Sequence, residues 1–127
     1  MRYLLDSTVL IDHGRGRPSV LALLELLLSE PNELYTCDVV VTEALSGGTD
    51  DERQVIQALV RVLEYVSTRP DAAVWAADAR RVGRAHSNPR SLADALIGGV
   101  AWSLDAAVVT RNVRDFEKLG VPVLGYA

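Results

Sequence analysis

The sequence is poor in cysteine, in long apolar runs and in positive charge, and each shortage excludes a class of protein. Cys37 is the only cysteine among the 127 residues, so no disulfide can form within the chain. A disulfide-held scaffold is therefore excluded, and the reducing cytoplasm is the expected location. Cys37 itself is expected to be a small, buried strand residue.

No apolar run approaches the length of about 20 residues that a membrane-spanning helix needs. The longest run, at residues 20–28, is interrupted by Glu25. The apolar start of the chain stops at Asp6, too early for the core of a signal peptide. We therefore expect neither a membrane span nor a cleaved leader.

Positive charge is also scarce. The 13 lysine and arginine residues face 17 aspartate and glutamate residues, which gives a net charge of -4 and a pI near 5.1. This balance excludes a protein that holds nucleic acid simply as a polycation, so any contact with phosphate must be local. Every basic residue except Lys118 is an arginine. Arginine suits bidentate phosphate contacts, although an arginine-rich chain can equally reflect genomic base composition.

Length and hydrophobic content predict one domain over residues 1–127, because 49% hydrophobic residues can close one core without disulfides or structural metal. Short apolar segments between turn residues predict strands, and periodic apolar positions behind capping residues predict helices. The predicted strands are residues 2–5, 34–37, 66–67, 107–110 and 121–124. The predicted helices are a turn from residue 7, then 18–29, 38–46, 49–65, 71–85 and 91–104, with a short helix or turn at 112–119.

This alternation of strands and helices is typical of an α/β fold whose parallel sheet is covered by helices. Sites in such sheets collect beyond the carboxyl ends of the strands. Asp6 follows the first predicted strand, and residues 112–115 follow the fourth. We therefore expect these distant parts of the sequence to meet at one edge of the sheet.

Asp6, Glu43 and Asp94 differ from the other acidic residues because each lies among apolar or small neighbours. Most acidic residues occupy solvated helix faces, so this setting predicts burial for all three. Carboxylates that approach one another in a poorly hydrated site need a cation to remain ionised. Oxygen ligands without histidine or cysteine favour Mg²⁺ or Mn²⁺.

Two glycines follow Asp94 on its predicted helix. Gly98 lies one turn onward on the same side, which would leave space above the carboxylate. The alternative is that Gly98 and Gly99 only allow close packing between helices.

A hydroxyl, an amide and a carboxylate follow the fourth predicted strand, at Thr110, Asn112 and Asp115. These groups can orient a metal, its waters or Asp6, or they can simply satisfy turn and helix-cap hydrogen bonds. Their position beside the acidic residues favours the first interpretation. Phe116 is expected to fill the core.

The histidines and tryptophans receive structural interpretations. Neither His13 nor His86 has a spacing that indicates a metal pair or a catalytic dyad. Trp75 and Trp102 lie at helical spacing among alanines, which favours core packing or a dimer face over base stacking.

Four motifs stand in order along the chain: LLDSTVLID at residues 4–12, TEAL at 42–45, LADALIG at 92–98 and TRNVRDF at 110–116. Together they resemble a PIN domain of the VapC-type toxins over essentially the whole chain. The resemblance implies a PIN-like three-layer α/β/α sandwich with a short, mainly parallel central sheet. It also implies an endoribonuclease toxin that uses Mg²⁺ or Mn²⁺ and is held inactive by a cognate VapB-like antitoxin. A homodimer or a toxin–antitoxin hetero-oligomer is implied as well.

The resemblance also assigns roles to residues. Asp6, Glu43 and Asp94 match the family's three acidic positions; Asp6 and Asp94 are implied as primary metal ligands, and Glu43 as a ligand through water or a group that positions the nucleophile. Many members have an aspartate where this chain has Asn112, and Asp115 matches the next aspartate of that motif. Either of these could complete the metal shell, and one or two ions could bind.

In the implied reaction, a metal-activated water attacks the phosphodiester in line, with no covalent enzyme intermediate. Thr8 and Thr110 are expected to support the metal ligands from behind.

An acidic centre repels RNA unless basic groups flank it, so arginines are expected at its rim. The same rim, or the apolar groove near the helix at residues 23–28, could instead dock the tail of the antitoxin. The sequence leaves both uses open. The candidates for contact with RNA or antitoxin are Arg15, Arg17, Arg80, Arg81, Arg84, Arg90 and Arg111.

Two other functions compete with the nuclease. Asn112, where an aspartate is usual, would suit a catalytically silent PIN-like module that acts in binding or regulation. A phosphatase-like hydrolase with Asp6 as nucleophile is disfavoured, because the second aspartate expected two residues later is Thr8 here.

Overall fold

The computed structural model describes all residues from 1 to 127. Its strands are β1 (Arg2–Leu5), β2 (Glu33–Cys37), β3 (Glu64–Val66), β4 (Ala107–Thr110) and β5 (Val123–Gly125). Its helices are α1 (Ser7–Gly14), α2 (Pro18–Ser29), α3 (Asp38–Leu45), α4 (Asp50–Val62), α5 (Pro70–Ala85), α6 (Leu92–Leu104) and α7 (Val113–Glu117). None of the helices combines the length and apolar character that a membrane crossing requires.

The sheet has the order β3-β2-β1-β4-β5, and every pairing in it is parallel. The chain builds outward from central β1 to one side through β2 and β3, and to the other side through β4 and β5. The register pairs Leu5 with Val109, so the residues that follow β1 and β4 emerge side by side. Ligands of parallel α/β sheets bind where the strand order changes direction in this way. The predicted parallel sheet is confirmed.

The two central strands are buried on both faces because helices cover both sides of the sheet. Leu4 and Leu5 are fully buried in β1, and all four residues of β4 are buried. Consecutive burial is the signature of a strand inside a covered parallel sheet. A core of 25 buried residues extends into the helices and includes Phe116, as expected. The predicted three-layer α/β/α architecture is confirmed.

The boundary between α4 and β3 differs from the prediction. The sequence predicted a helix through Tyr65 and a strand at residues 66–67, whereas the helix ends at Val62 and Glu64–Val66 form the strand. Leu63 leaves the helix in an extended conformation, with φ -90° and ψ 155°, while its side chain stays in the core. The helical period therefore continues in the sequence, but backbone pairing with β2 decides the conformation.

The last strand also begins later than predicted, at Val123 instead of residue 121. Pro122 has no N–H to donate to a ladder, but its carbonyl accepts a hydrogen bond of 2.9 Å from the Val108 amide. Val121 is buried. The segment before β5 is thus attached to β4 without being a strand itself.

The glycine pair of α6 allows this helix to pack closely against α5. A Cβ added to Gly99 would overlap the backbone carbonyl of Ala72 in α5. A Cβ added to Gly98 would lie 3.1 Å from the Trp75 ring and 3.2 Å from Leu119. Of the two alternatives that the sequence left open, the structure therefore supports helix packing.

We expect Gly99→Ala to lower the free energy of unfolding by about 1–3 kcal/mol, because the added methyl group meets backbone that cannot easily move. Gly47→Ala is the matched control, since a Cβ there meets nothing within 4 Å. Urea unfolding of both variants measures the difference. Equal stability of the two would contradict the packing role of Gly99.

Candidate active site

Asp6 lies at the carboxyl end of β1, where it precedes the first turn of α1, and only 2% of its surface is exposed. Its amide donates to the Val109 carbonyl at 3.0 Å, which fixes the backbone against β4. Its Oδ2 accepts hydrogen bonds from the Thr110 hydroxyl at 2.8 Å and the Thr8 hydroxyl at 3.2 Å. The Ser7 hydroxyl donates to Oδ1 at 3.4 Å, so three neutral donors hold the buried carboxylate in one orientation.

Each of these threonines also accepts a hydrogen bond from the segment that follows β4. The Thr8 hydroxyl accepts from the Arg111 amide at 3.2 Å, and the Thr110 hydroxyl accepts from the Asn112 amide at 3.0 Å. A hydroxyl has one proton to donate and lone pairs that accept, so both residues use donor and acceptor capacity together. Thr110 thus accepts a hydrogen bond from the turn after β4 and orients the Asp6 carboxylate at the same time.

Asp94 lies in the first turn of α6, where its amide donates to the hydroxyl of the capping Ser91 at 3.0 Å. Burial and the Asp6 carboxylate raise the pKa of Asp94 to about 6, against the opposing effect of the Ser91 hydrogen bond. Asp115 and Glu43 raise this pKa further. Asp94 therefore lies within electrostatic range of the other three predicted carboxylates, those of Asp6, Asp115 and Glu43.

Glu43 departs from its predicted setting, because its side chain is exposed. In α3 the buried positions are Val40 and Ala44. Glu43 lies beside this buried face, on the exposed side of the helix. It lines one shallow cavity with Asp38 and another with Arg15. Apolar sequence neighbours therefore predicted burial wrongly here, since in a short helix they cover the opposite side.

Asp115 and Asn112 occupy different environments in the turn after β4. Asp115 is half-buried and lies 3.8 Å from the Lys118 ammonium group. Asn112 is exposed, and only its backbone amide takes part in the hydrogen bonds at the site. Of the two, Asp115 alone contributes to the electrostatic field at Asp94.

The donor set fits a hard divalent cation in its chemistry. The group consists of carboxylate oxygens, and no three acidic, histidine or cysteine side chains are close enough together to chelate one ion. Mg²⁺ commonly binds through one or two carboxylates and retains several waters, so it does not need a closed protein cage. Burial is the largest cause of the raised pKa of Asp94, and the Asp6 carboxylate is the next. A cation bound beside Asp94 would oppose both effects, and Asp6 and Asp94 are the residues that would hold it.

Asp12 is a buried carboxylate that the sequence reasoning did not single out. It is 2% exposed and accepts a hydrogen bond of 2.7 Å from the Tyr126 hydroxyl. It also pairs with Arg111 through Nε at 3.1 Å and Nη2 at 3.4 Å, and with Arg17 through Nη1 at 3.4 Å. The apolar neighbours that drew attention to Asp6 also surround Asp12, in the motif LLDSTVLID, so the same criterion would have found it.

The candidate arginines separate into groups. Arg111 lines a shallow cavity of about 420 Å³ with Asp115, and Arg15 lines another with Glu43, so both lie beside the acidic centre. Arg80 donates to the Arg90 carbonyl, and Arg90 donates to the carbonyls of Asn88 and Lys118, which fastens the loop before α6. The other candidates are Arg17, paired with Asp12, and Arg81 and Arg84, both exposed on α5.

The acidic group does not include the side chains of His13, Cys37, Trp75 or Trp102. Burial lowers the pKa of His13 and raises the pKa of the buried Cys37 thiol to about 11, so neither is a ready nucleophile or cation. Trp75 and Trp102 stack with ring centroids 6.3 Å apart, and Trp102 remains 51% exposed. The dimer face suggested for these rings stays a prediction.

Comparison with known proteins agrees with this geometry. The family model of the PIN domain matches residues 3–122. Ribonuclease VapC19 of Mycobacterium tuberculosis is 31% identical over 114 residues, which cover 89% of this chain and 90% of the relative.

Solved structures share the fold at lower sequence identity. A chain of the VapBC2 complex from Rickettsia felis, bound to a DNA fragment from its promoter, superposes with a TM-score of 0.86 at 18% identity, and each chain is covered completely. The sarcin-ricin loop cleaving toxin VapC20 of Mycobacterium tuberculosis superposes with a TM-score of 0.71 at 16% identity, over 94% of this chain and 95% of that one. The match of the family model over nearly the whole chain, together with the 31% identical relative, shows that this protein belongs to the PIN domain family.

Proposed function

We propose that this chain is a metal-dependent endoribonuclease that acts as the toxin of a toxin–antitoxin pair. The observation that carries the proposal is the group of carboxylates around Asp94, whose pKa is raised to about 6 by burial and by its acidic neighbours. Such a group favours a bound cation, and it lies at the edge of the sheet where ligands of this fold class bind. Similarity to a protein named a ribonuclease supports RNA as the substrate.

In this proposal the carboxylates of Asp6 and Asp94 hold Mg²⁺ or Mn²⁺. Asp115 contributes next to metal binding, and Asn112 contributes less. When bound, the ion supplies Lewis-acid stabilisation of the charge that develops on the phosphate oxygens. Thr8 and Thr110 prevent the Asp6 carboxylate from rotating away, because both donate to the same oxygen. Orientation fixed before the substrate arrives lowers the cost of assembling the site.

Glu43 is proposed to position the attacking water. It is the one exposed carboxylate of the group, and it has no hydrogen bond or ion pair that ties it to the protein. An exposed carboxylate at the rim can accept a hydrogen bond from water and receive its proton during attack. The Lys118 ammonium group lies 3.8 Å from Asp115 and partly offsets the negative charge on that side.

The proposed partners are RNA and a VapB-like antitoxin. Helix α2 exposes the side chains of Leu21, Leu26 and Leu28 at 44%, 55% and 53%, and exposed leucines are apolar surface that an antitoxin segment could cover. Solved relatives with this fold include a chain of a VapBC complex, in keeping with a toxin–antitoxin hetero-oligomer or a homodimer. An RNA substrate and an unpaired Cys37 agree with action in the cytoplasm.

A catalytically silent binding or regulatory module is the alternative, and exposed Asn112 in place of a carboxylate is the observation that favours it. The setting of Asp94 argues against it, because a carboxyl group whose pKa is raised by burial and by neighbouring carboxylates lowers stability at neutral pH unless a cation offsets the effect. The cleavage assay below separates the two functions.

Asp6→Asn and Asp94→Asn should each reduce cleavage of a structured RNA in Mg²⁺ or Mn²⁺ by about 100-fold or more, since each removes a proposed metal ligand. Asp51→Asn is the matched control, an exposed aspartate in the first turn of α4. EDTA should abolish cleavage by the wild type. Equal cleavage by all variants, or none by the wild type, contradicts the nuclease proposal.

Asp115→Asn should weaken Mn²⁺ binding by about 10-fold, whereas Asn112→Ala should change it by less than about 2-fold. The reason is that the Asp115 carboxylate acts on Asp94, while the Asn112 side chain makes no hydrogen bond in the site. Titration calorimetry with Mn²⁺ measures both. If Asn112→Ala weakens Mn²⁺ binding more than Asp115→Asn does, Asn112 and not Asp115 completes the metal shell.

Asp94→Asn should stabilise the metal-free protein, and more so as the pH rises. The folded protein raises the pKa of Asp94 from 3.8 to about 6. The wild type therefore loses stability between about pH 4 and about pH 6, where the unfolded chain releases the Asp94 proton more readily than the folded one. Melting temperatures in EDTA at the two ends of this range test the effect. A difference between variants that does not grow with pH would contradict it.

A further inference from the structure

A second network of charged groups adjoins the acidic centre, built around the buried Asp12 carboxylate of α1. Two arginines and a tyrosine hydroxyl converge on this carboxylate. Arg17 and Arg111 nevertheless keep side-chain exposures of 39% and 41%, against 3% for Asp12. Two guanidinium groups on one buried carboxylate leave an excess of one positive charge, and that excess faces solvent.

Arg111 is fixed at both ends. Its backbone amide donates to Thr8, which in turn donates to the Asp6 carboxylate. Its side chain makes a bidentate contact with Asp12 through Nε and Nη2. The Arg111 side chain is still 41% exposed, so the guanidinium group can also donate to a ligand.

The location of Arg111 indicates which ligand this is. It lines the same shallow cavity of about 420 Å³ as Asp115, so a fixed cation and a carboxylate of the acidic centre face one space. A chain with a net charge of -4 needs local cations to hold a polyanion beside its carboxylates. A guanidinium group suits phosphate oxygens, and its order before binding removes part of the entropic cost of association.

We propose that Asp12 is a positioning residue, which holds Arg111 at the rim of the acidic centre as a binding point for an RNA phosphate next to the scissile one. This inference rests on the proposed ribonuclease function. Arg17 shares the same carboxylate and adds positive charge behind Arg111. Tyr126 completes the solvation of Asp12, which lets a carboxylate remain buried under two exposed cations.

Arg111→Met removes the guanidinium group and keeps the aliphatic stem. Its dissociation constant for a fluorescent single-stranded RNA, measured by anisotropy in the metal-free full chain, should rise about 5-fold, and the slope of log affinity against log salt should fall by about 0.7. In the cleavage assay KM should rise while kcat changes by less than about 2-fold. Arg61→Met, on the exposed side of α4, is the matched control and should behave as wild type.

Asp12→Asn tests the positioning role through a double-mutant cycle. It should weaken RNA binding in the wild-type background but have no further effect on affinity in the Arg111→Met background, because it acts through that arginine. Tyr126→Phe removes a hydrogen bond from the same carboxylate and should lower the melting temperature. A merely structural Asp12 would lower stability without this coupling. If Asp12→Asn does not fold, the Arg111→Met arm decides alone.

The outcomes separate this inference from the function on which it rests. A wild type that neither cleaves nor binds RNA overturns both. A wild type that cleaves RNA, with wild-type affinity and salt slope in Arg111→Met, overturns the inference alone. Loss of antitoxin affinity in Arg111→Met with unchanged RNA affinity also overturns it and assigns the arginine to the protein partner. An equal loss of RNA affinity in Arg61→Met would attribute the effect to the net charge of the protein instead of to the position of Arg111.

Discussion

The burial of the Asp6 carboxylate at the end of the central strand is the constraint on which the rest of the site depends. A carboxylate that is 2% exposed must be satisfied within the protein or by a bound cation. The protein supplies two threonine hydroxyls to Oδ2 and the Ser7 hydroxyl to Oδ1, and all three donors are neutral. No basic side chain pairs with this carboxylate, which adds to the effect of burial in raising the pKa of Asp94. The proposed cation would supply the positive charge that these neutral donors do not.

The same segment of chain carries a second buried aspartate, Asp12, whose charge is balanced by basic side chains of the protein. Asp12 has two arginines and a tyrosine, so its charge is more than balanced within the protein. Asp6 and Asp12 lie at opposite ends of α1. In the proposed function Asp6 binds an external cation, whereas Asp12 holds the exposed guanidinium groups of Arg17 and Arg111 in place. The difference lies in the partners and not in the carboxylates, since both are equally inaccessible to water.

The sequence predicts those parts of the structure that depend on local pattern. The ends of β1 and β4 follow from apolar runs, so the meeting of Asp6 with the segment of Thr110 was foreseeable. Glu43 was predicted as buried and is exposed, because apolar neighbours in a short helix do not reveal which side faces the core. The α4 boundary was misplaced because pairing with β2, invisible in the local period, determines β3.

Asp12 shows a different limit of sequence reasoning. Its apolar neighbours indicate burial, but its partners Arg111 and Tyr126 lie near the other end of the chain, and only the fold brings them to α1. The family resemblance likewise drew attention to the acidic positions and left Arg111 among many arginines. Arg111 differs from Arg81 and Arg84 because its guanidinium group is held by Asp12, and the composition of the sequence does not reveal such a contact.

The two networks are mechanically connected through Thr8. Its hydroxyl donates to Asp6 and accepts from the Arg111 amide, so it links the proposed metal ligand to the residue that would hold phosphate. Both links cross between the segment after β1 and the segment after β4, which the parallel register places side by side. A displacement of either segment would therefore change the carboxylate and the guanidinium group together. Through this coupling, a short β-sheet with small side chains at its edge can maintain a fixed distance between the proposed metal ligand and the proposed phosphate-binding group.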